Sequence, residues 1–158
     1  MKAKEILVLL FGGFGYIAMV GTSHAVDSKI HPGSMCQAYF GSQEASLKKG
    51  TGWVFNDSGG AMWITCPVVR DNTTNTNGVD VAYVRILRAS TASAAFDCTL
   101  DSRTTTGSQY AWDTASYSGV GNTSLRFDLN ASSSRGHYEF LCRLPRDSAI
   151  ISYRVDEY

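Results

Sequence analysis

Charge is scarce in this chain, and neither sign predominates. Lys and Arg together number 14, Asp and Glu also number 14, and charged residues make up only 18% of the sequence. Proteins that bind nucleic acid or an anionic membrane surface normally carry an excess or a dense patch of basic residues. The composition therefore argues against nucleic acid and against an anionic membrane as partners.

Long apolar runs are also lacking, with one exception close to the first residue. Ile6–Val20 follows Lys2 and Lys4 and precedes the small residues Ser23 and Ala25. This order of positive, apolar and small residues predicts a secretory signal peptide that is cleaved after Ala25. A membrane-spanning helix is the alternative, but it needs roughly 20 apolar residues, and this run is shorter and interrupted by glycines.

Cleavage of residues 1–25 would leave a mature chain of 133 residues, 26–158, which is the size of one domain. No linker and no internal repeat divides this part of the sequence. No other segment approaches the length of a membrane span, so membrane insertion after cleavage is not expected. We therefore expect a single exported domain, monomeric by default, in the periplasm, at the cell surface or outside the cell.

The four cysteines all lie in the expected mature chain. An even number of cysteines in an exported protein predicts disulfides, here two. A metal site is the alternative, but the chain has no CxxC pair and the cysteines are 30, 32 and 44 residues apart. Four cysteines allow three pairings. Cys98 and Cys142 each alternate with large apolar residues and should both face the core, so we favour a Cys98–Cys142 bridge, which leaves Cys36 to pair with Cys66.

The sequence has short stretches in which apolar and polar residues alternate, and it lacks the 3.6-residue apolar repeat of a helix. His137–Leu144 is the clearest example, because every second residue from Tyr138 is large and apolar or cysteine. This period of two is typical of strands with one buried face. Asn56–Gly60 separates two such stretches and predicts a β-hairpin. Seven or eight short strands predict an all-β protein, an antiparallel β-sandwich of jelly-roll or Greek-key type.

Four segments of the mature chain resemble those of a family of small exported bacterial proteins. The family's mature region opens with an HPGxxCQ segment, here His31–Gln37, and continues with a segment similar to Thr65–Asp71. It ends with a cysteine-containing strand similar to Tyr138–Pro145 and a tail similar to Ser152–Glu157. The resemblance implies export, two disulfides and a bacterial origin. It implies no activity, no cofactor and no binding residue.

Aromatic residues in polar surroundings offer one candidate binding site. Tyr110, Trp112 and Tyr117 lie close together in the sequence, with Asp113 among them. Exposed rings beside carboxylates and amides are suited to holding sugars, because ring faces stack on the C–H-rich faces of sugars while polar groups take the hydroxyls. Packing in the core is the alternative for each ring, and it is the favoured interpretation for Trp112 as well as for Trp53 and Trp63.

A polar loop between two expected strands is a weaker candidate, for calcium. Asp71, Asn75, Asn77 and Asp80 bring oxygen-containing side chains at intervals that a calcium loop would use. Only two of the four are acids, which predicts weak affinity at best, and an ordinary polar loop is the favoured interpretation. No other cofactor is expected.

These observations rank three functional classes. The leading one is an exported non-enzymatic protein, structural or binding, with a glycan or another cell-surface component as its first candidate partner. The second is a secreted hydrolase that uses carboxylates or His137, although no G-x-S-x-G motif occurs and we expect Asp128 and Glu139 to pair with Arg126 and Arg143. The third is a protein-interaction module, an inhibitor or adhesin subunit that uses a sheet edge or the Asp71–Asp80 loop.

Overall fold

The computed structural model describes residues 27–71, 73–74, 76–92 and 94–157. The expected signal peptide and its cleavage site lie outside these residues. Short 3₁₀ segments occur at Gly33–Met35 and Gly41–Ser46. No helix in the described ranges has the length and apolar character needed to cross a membrane.

The described residues form eleven strands, most of them bounded by turns rich in Gly, Ser and Asn. They are β1 (Asp27–Pro32), β2 (Gln37–Ala38), β3 (Leu47–Lys49), β4 (Val54–Asn56), β5 (Met62–Val68), β6 (Val79–Arg88), β7 (Phe96–Arg103), β8 (Gln109–Tyr117), β9 (Gly121–Leu129), β10 (His137–Leu144) and β11 (Ser148–Glu157).

The strands pair into two antiparallel sheets. The six-stranded sheet has the order β3-β4-β11-β6-β9, and β1 also pairs with β11 beyond the end of β4. The five-stranded sheet has the order β2-β5-β10-β7-β8. The prediction of an all-β sandwich with two disulfides is confirmed.

The hydrophobic core lies between the sheets and follows from the alternation of the strands. Alternate residues of β5 and β10 are buried, as the period-2 pattern requires. Phe140 of β10 contacts Phe127 and Tyr153 of the other sheet, with ring centroids 5.3 and 5.7 Å apart. Each large apolar side chain buried in this way stabilises the fold by roughly 1.5–3 kcal/mol.

Both disulfides are those that the sequence favours. Cys98 and Cys142 lie directly opposite each other on β7 and β10, with their Cα atoms 4.1 Å apart. Cys36, which precedes β2, is bonded to Cys66 of β5. One bridge therefore lies inside the five-stranded sheet, and the other fixes the segment after β1 to that sheet.

The predicted hairpin at Asn56–Gly60 is wrong, because the two flanking strands belong to different sheets. β4 pairs in the six-stranded sheet, whereas β5 pairs in the five-stranded sheet. The expected Asx-type bend does form, since the Asn56 side-chain oxygen accepts a hydrogen bond from the Ser58 backbone N–H at 2.9 Å. The Asn56 amide also donates to the Leu144 carbonyl at 2.9 Å. This buried asparagine therefore stabilises the connection by which the chain passes from one sheet to the other, and not a hairpin.

Candidate functional site

The outer face of the five-stranded sheet carries exposed aromatic rings. Trp112 is 60% exposed and Tyr110 is 54% exposed, and both project from β8 at the edge of the sheet. They face solvent because Ala111 and Ala115, which alternate with them, pack partly against the core. The alternation of β8 therefore fixes two adjacent rings on the solvent side of one strand.

Tyr117 and Asp113 lie on the other face of β8, away from Trp112. The Tyr117 hydroxyl donates a hydrogen bond to the Val120 carbonyl at 3.1 Å, and its ring packs partly against the core. Asp113 accepts a hydrogen bond from the Asp128 backbone N–H at 2.8 Å, which joins β8 to β9 of the other sheet. Of the four residues predicted for a sugar site, Tyr110 and Trp112 lie together on the outer face of β8. Asp113 and Tyr117 lie on its other face, because side chains alternate along a strand and these two positions are odd-numbered.

Trp53 and Trp63 do not fill the core, so that prediction is wrong. Each is 40% exposed. Trp63 lies on the outer face of the five-stranded sheet, where it is paired with Arg143 of β10. Trp53 immediately precedes β4 and lies beside Phe55, with ring centroids 6.4 Å apart. Both tryptophans occupy positions that alternate with buried neighbours. This alternation is the sequence signal that could have predicted their exposure to solvent.

A group of polar side chains, here called the Asp101 cluster, lies next to Trp112. Arg103 donates to Asp101 at 2.9 Å and forms an ion pair with Glu139. The amide of Gln109 donates to the other Asp101 oxygen, and the Thr65 hydroxyl donates to Glu139 at 3.0 Å. The cluster comprises Asp101, Arg103, Gln109, Glu139 and Thr65, from four strands or their ends. Its side chains hold one another in fixed orientations.

The charge pairs differ in part from those expected. Glu139 pairs with Arg103 and not with Arg143, and Arg143 instead lies 3.7 Å from Asp97. The register explains the change, because Arg143 of β10 is directly opposite Asp97 of β7. The pair of Arg126 and Asp128 forms as expected, at 2.8 Å, along one strand. Arg103 was missed because it is far from Glu139 in the sequence and only the fold brings them together.

The carboxylates of the Asp101 cluster are held by partners within the cluster. Both oxygens of Asp101 and both oxygens of Glu139 are already engaged by cluster partners. His137 is exposed at the start of β10, opposite Arg103.

Of the residues predicted for a calcium site, the structure describes Asp71, Asn77 and Asp80. Asp71 forms an ion pair with Lys29. Asp80 is exposed on β6, Asn77 is in the preceding loop, and Asn75 lies outside the described residues. Among the residues that the structure describes, no group of three or more His, Cys, Asp or Glu side chains could hold a metal ion.

No protein-family model matches the chain, and no curated protein is significantly similar to it. Three solved structures show a likeness in fold at low identity. A GH26-CBM35 β-(1,4)-mannanase of Podospora anserina matches 83% of this chain with a TM-score of 0.48 and 13% identity, and this chain spans only 28% of it. The module named BiXyn10A CBM1, in its apo form, matches 82% of this chain and 96% of its own, with a TM-score of 0.43 and 12% identity. CsCBM6-3 of Clostridium stercorarium, in complex with cellobiose, matches 84% of this chain and 87% of its own, with a TM-score of 0.41 and 10% identity.

Proposed function

We propose that this protein is an exported, non-enzymatic domain that binds carbohydrate on the outer face of its five-stranded sheet. The observation that carries the proposal is the exposure of Trp112 and Tyr110 beside the Asp101 cluster. Two large rings on one strand gain little from folding when more than half of each remains in water. Such rings are instead suited to a partner that covers them.

Sugars match this face because they have both apolar and polar surfaces. The C–H-rich face of a pyranose stacks on an indole or phenol ring, and its hydroxyl groups both donate and accept hydrogen bonds. Arg103 and Gln109 offer donors next to Trp112, and each Glu139 oxygen keeps a second lone pair that can accept a hydrogen bond. Because the cluster is held in place before any ligand arrives, binding would cost little side-chain entropy.

Hydroxyl side chains extend the same face along the sheet. Thr99 of β7 is opposite Thr114 of β8, and Asp97 is opposite Ser116, whose hydroxyl donates to Asp97 at 2.6 Å. These two cross-strand pairs extend from the Asp101 cluster toward Trp63 on the outer face of the sheet. Rings at two ends of a polar face favour an extended oligosaccharide over a single sugar.

Two disulfides support the exported setting of the proposal, because such bonds persist in oxidising compartments and are rare in the cytosol. The partners that fix Asp101 and Glu139 within the cluster support the non-enzymatic part, because they give both carboxylates a structural role. The hydrolase alternative would use one of the chain's carboxylates or His137, which is exposed at the start of β10.

A glycan-array screen of the oxidised protein, residues 26–158, tests the proposal. Intact mass with and without reductant would first establish that both disulfides are present. We expect saturable binding to a small set of related glycans, and the same set with calcium or with chelator. Absence of binding to every glycan, or release of cleaved products from the bound ones, would overturn the proposal.

A further inference from the structure

The outer face of the six-stranded sheet, opposite the proposed sugar face, carries two adjoining cavities. One has a volume of about 360 Å³ and an apolar lining: Trp53, Phe55, Leu87, Ala149 and Ile151. The other also has a volume of about 360 Å³, and its lining includes Ile30, Tyr83, Arg85, Ser124, Ser152 and Arg154. Together they form what is called here the amphipathic groove.

The two cavities adjoin because the same two strands line both. Leu87 and Arg85 alternate on the outer side of β6, and Ile151 and Ser152 are consecutive on β11. A β-bulge between Ile150 and Ser152 shifts the pairing of β11 with β6 at this point. Since Ile150 and Tyr153 are both buried, the bulge leaves Ile151 and Ser152 together on the outer face. Each therefore lines one of the cavities.

The apolar end of the groove has fixed walls. The Trp53 indole lies directly over Gly50, where a Cβ atom would be only 2.2 Å from the ring. The ring also meets Phe55 edge to face. Leu87 lies on the same face of the sheet as these two rings and is still 42% exposed. Exposed apolar side chains gathered in one concave place mark a binding site more often than single scattered ones do.

The other end of the groove is positively charged. Arg85 is exposed and, within the described ranges, has no ion-pair partner. It lies between two hydroxyl side chains, because Ser152 pairs with it on one side and Ser124 on the other. Arg154 is near, over the Tyr83 ring at 5.7 Å, and its charge is balanced by Asp156. The unbalanced charge at this end is therefore the guanidinium of Arg85.

We infer that the amphipathic groove binds a small amphiphilic carboxylate, such as a medium-chain fatty acid. Its apolar chain would lie against Trp53, Leu87 and Ile151. Its carboxylate would accept hydrogen bonds from Arg85, in the paired geometry that guanidinium groups form with carboxylates, and from the serine hydroxyls. The site is on the sheet opposite the proposed sugar face, so it stands whether or not that face binds carbohydrate.

The test is a titration with octanoate, with its neutral analogue octanamide as the comparison, followed by ¹⁵N NMR. We expect saturable shifts at the amides of Leu87, Ile151 and Ser152, and weaker binding of octanamide by about ten-fold or more, since a hydrogen-bonded charge pair is lost. Equal affinities for the two compounds, no saturable shift, or shifts confined to the five-stranded sheet would overturn the inference.

Variants separate the charge from the fold. Arg85→Gln should weaken octanoate binding about ten-fold, whereas Arg85→Lys should retain part of the affinity because the charge remains. Arg126→Gln is the matched control, since Arg126 is also an exposed arginine of this sheet but does not line the groove. An equal effect of Arg85→Gln and Arg126→Gln would overturn the inference. So would binding to anionic lipid vesicles without any binding of free octanoate.

Discussion

Trp112 lies directly opposite Asp101 in the antiparallel register of β8 and β7. The ring is 60% exposed, whereas the Asp101 side chain is 2% exposed. An exposed aromatic surface therefore stands beside a buried carboxylate whose two oxygens both accept hydrogen bonds. The cluster beside the ring would give a stacked sugar polar neighbours that are already held in place.

Trp112→Ala should abolish glycan binding while leaving the fold intact. The ring covers little of the core, so we expect the free energy of unfolding to change by about 0.5 kcal/mol or less. Binding is measured on the best array ligand by calorimetry, and stability by urea unfolding. Trp53→Ala on the other sheet is the control and should retain the affinity for the glycan. A loss of about 3–5 kcal/mol in Trp112→Ala, as for a buried tryptophan, would contradict this placement.

Removing the Cys98–Cys142 bridge by a double change to alanine should lower the free energy of unfolding by about 4 kcal/mol. The bridge spans 44 residues and therefore restricts the unfolded chain strongly. The Cys36–Cys66 bridge spans 30 residues, and its removal should cost a similar amount because the entropy depends only on the logarithm of the loop length. Urea unfolding of both double variants, compared with the oxidised protein, gives the two values. Unchanged stability in either would contradict the prediction for that bridge.

Local alternation was enough to predict the class of the fold. The strand at His137–Leu144 has the predicted bounds, and the inward positions of Cys98 and Cys142 follow from the apolar residues that alternate with them. The layer that each strand joins could not be predicted in this way. The turn at Asn56–Gly60 has the residues of a hairpin, but its asparagine binds the carbonyl of Leu144, 88 residues away in the sequence.

The candidate site, like the fold, could be predicted only in part from the sequence. The sequence favours core packing for Trp112, and that interpretation is wrong, because the ring is 60% exposed. The Asp101 cluster could not be predicted, because Arg103 and Glu139 meet only when β7 pairs with β10. The amphipathic groove depends on a bulge at Ile150 and Ser152, which leaves no mark in the apolar pattern of β11.

Arg70→Met should destabilise the fold by about 3–5 kcal/mol, because it leaves a buried carboxylate without its cation. Arg70 is 2% exposed, donates to Glu157 at 3.2 Å and to the Ser133 carbonyl at 2.9 Å, and its guanidinium lies over the Tyr138 ring. This buried pair joins the end of β11 to the segment after β5.

Urea unfolding of Arg70→Met, of Glu157→Met and of the double variant measures the coupling between Arg70 and Glu157. The double variant should recover part of the loss, since neither charge is then left alone in the interior. The exposed pair of Arg126 and Asp128 is the control, and Arg126→Gln should cost about 0.5 kcal/mol or less. Equal effects of Arg70→Met and Arg126→Gln would contradict a buried ion pair.

Lowering the pH below neutrality should destabilise the protein through His31. This histidine stacks on Tyr153, with ring centroids 4.9 Å apart, and its buried Nε2 has no hydrogen-bond partner among the described residues. Burial, with a smaller effect of the nearby Lys29 charge, holds the pKa of His31 below its usual range. Protonation therefore favours the unfolded chain. The full contribution of neutral His31 to stability is present above about pH 6.5. It is lost progressively as the pH falls toward the pKa of His31 in the folded protein.

Two carboxylates extend this pH dependence to lower values. Hydrogen bonds from Arg154 lower the pKa of Asp156, and a hydrogen bond with Lys49 lowers the pKa of Glu44. Their contributions are present above the unfolded pKa values of about 4 and are lost only as the pH falls further. Any loss of stability between about pH 5 and 6.5 is therefore separate from theirs.

His31→Phe should remove the loss of stability between about pH 5 and 6.5 and leave the steeper loss below about pH 4. Phenylalanine retains the stack on Tyr153 and takes no proton. The free energy of unfolding, measured by urea at intervals from pH 8 to pH 3, gives the two slopes for each variant. His137→Phe is the matched control, because it changes an exposed histidine at the start of β10 and should leave the slope between pH 5 and 6.5 in place. If that slope persists in His31→Phe and disappears in His137→Phe, the buried imidazole is not its origin.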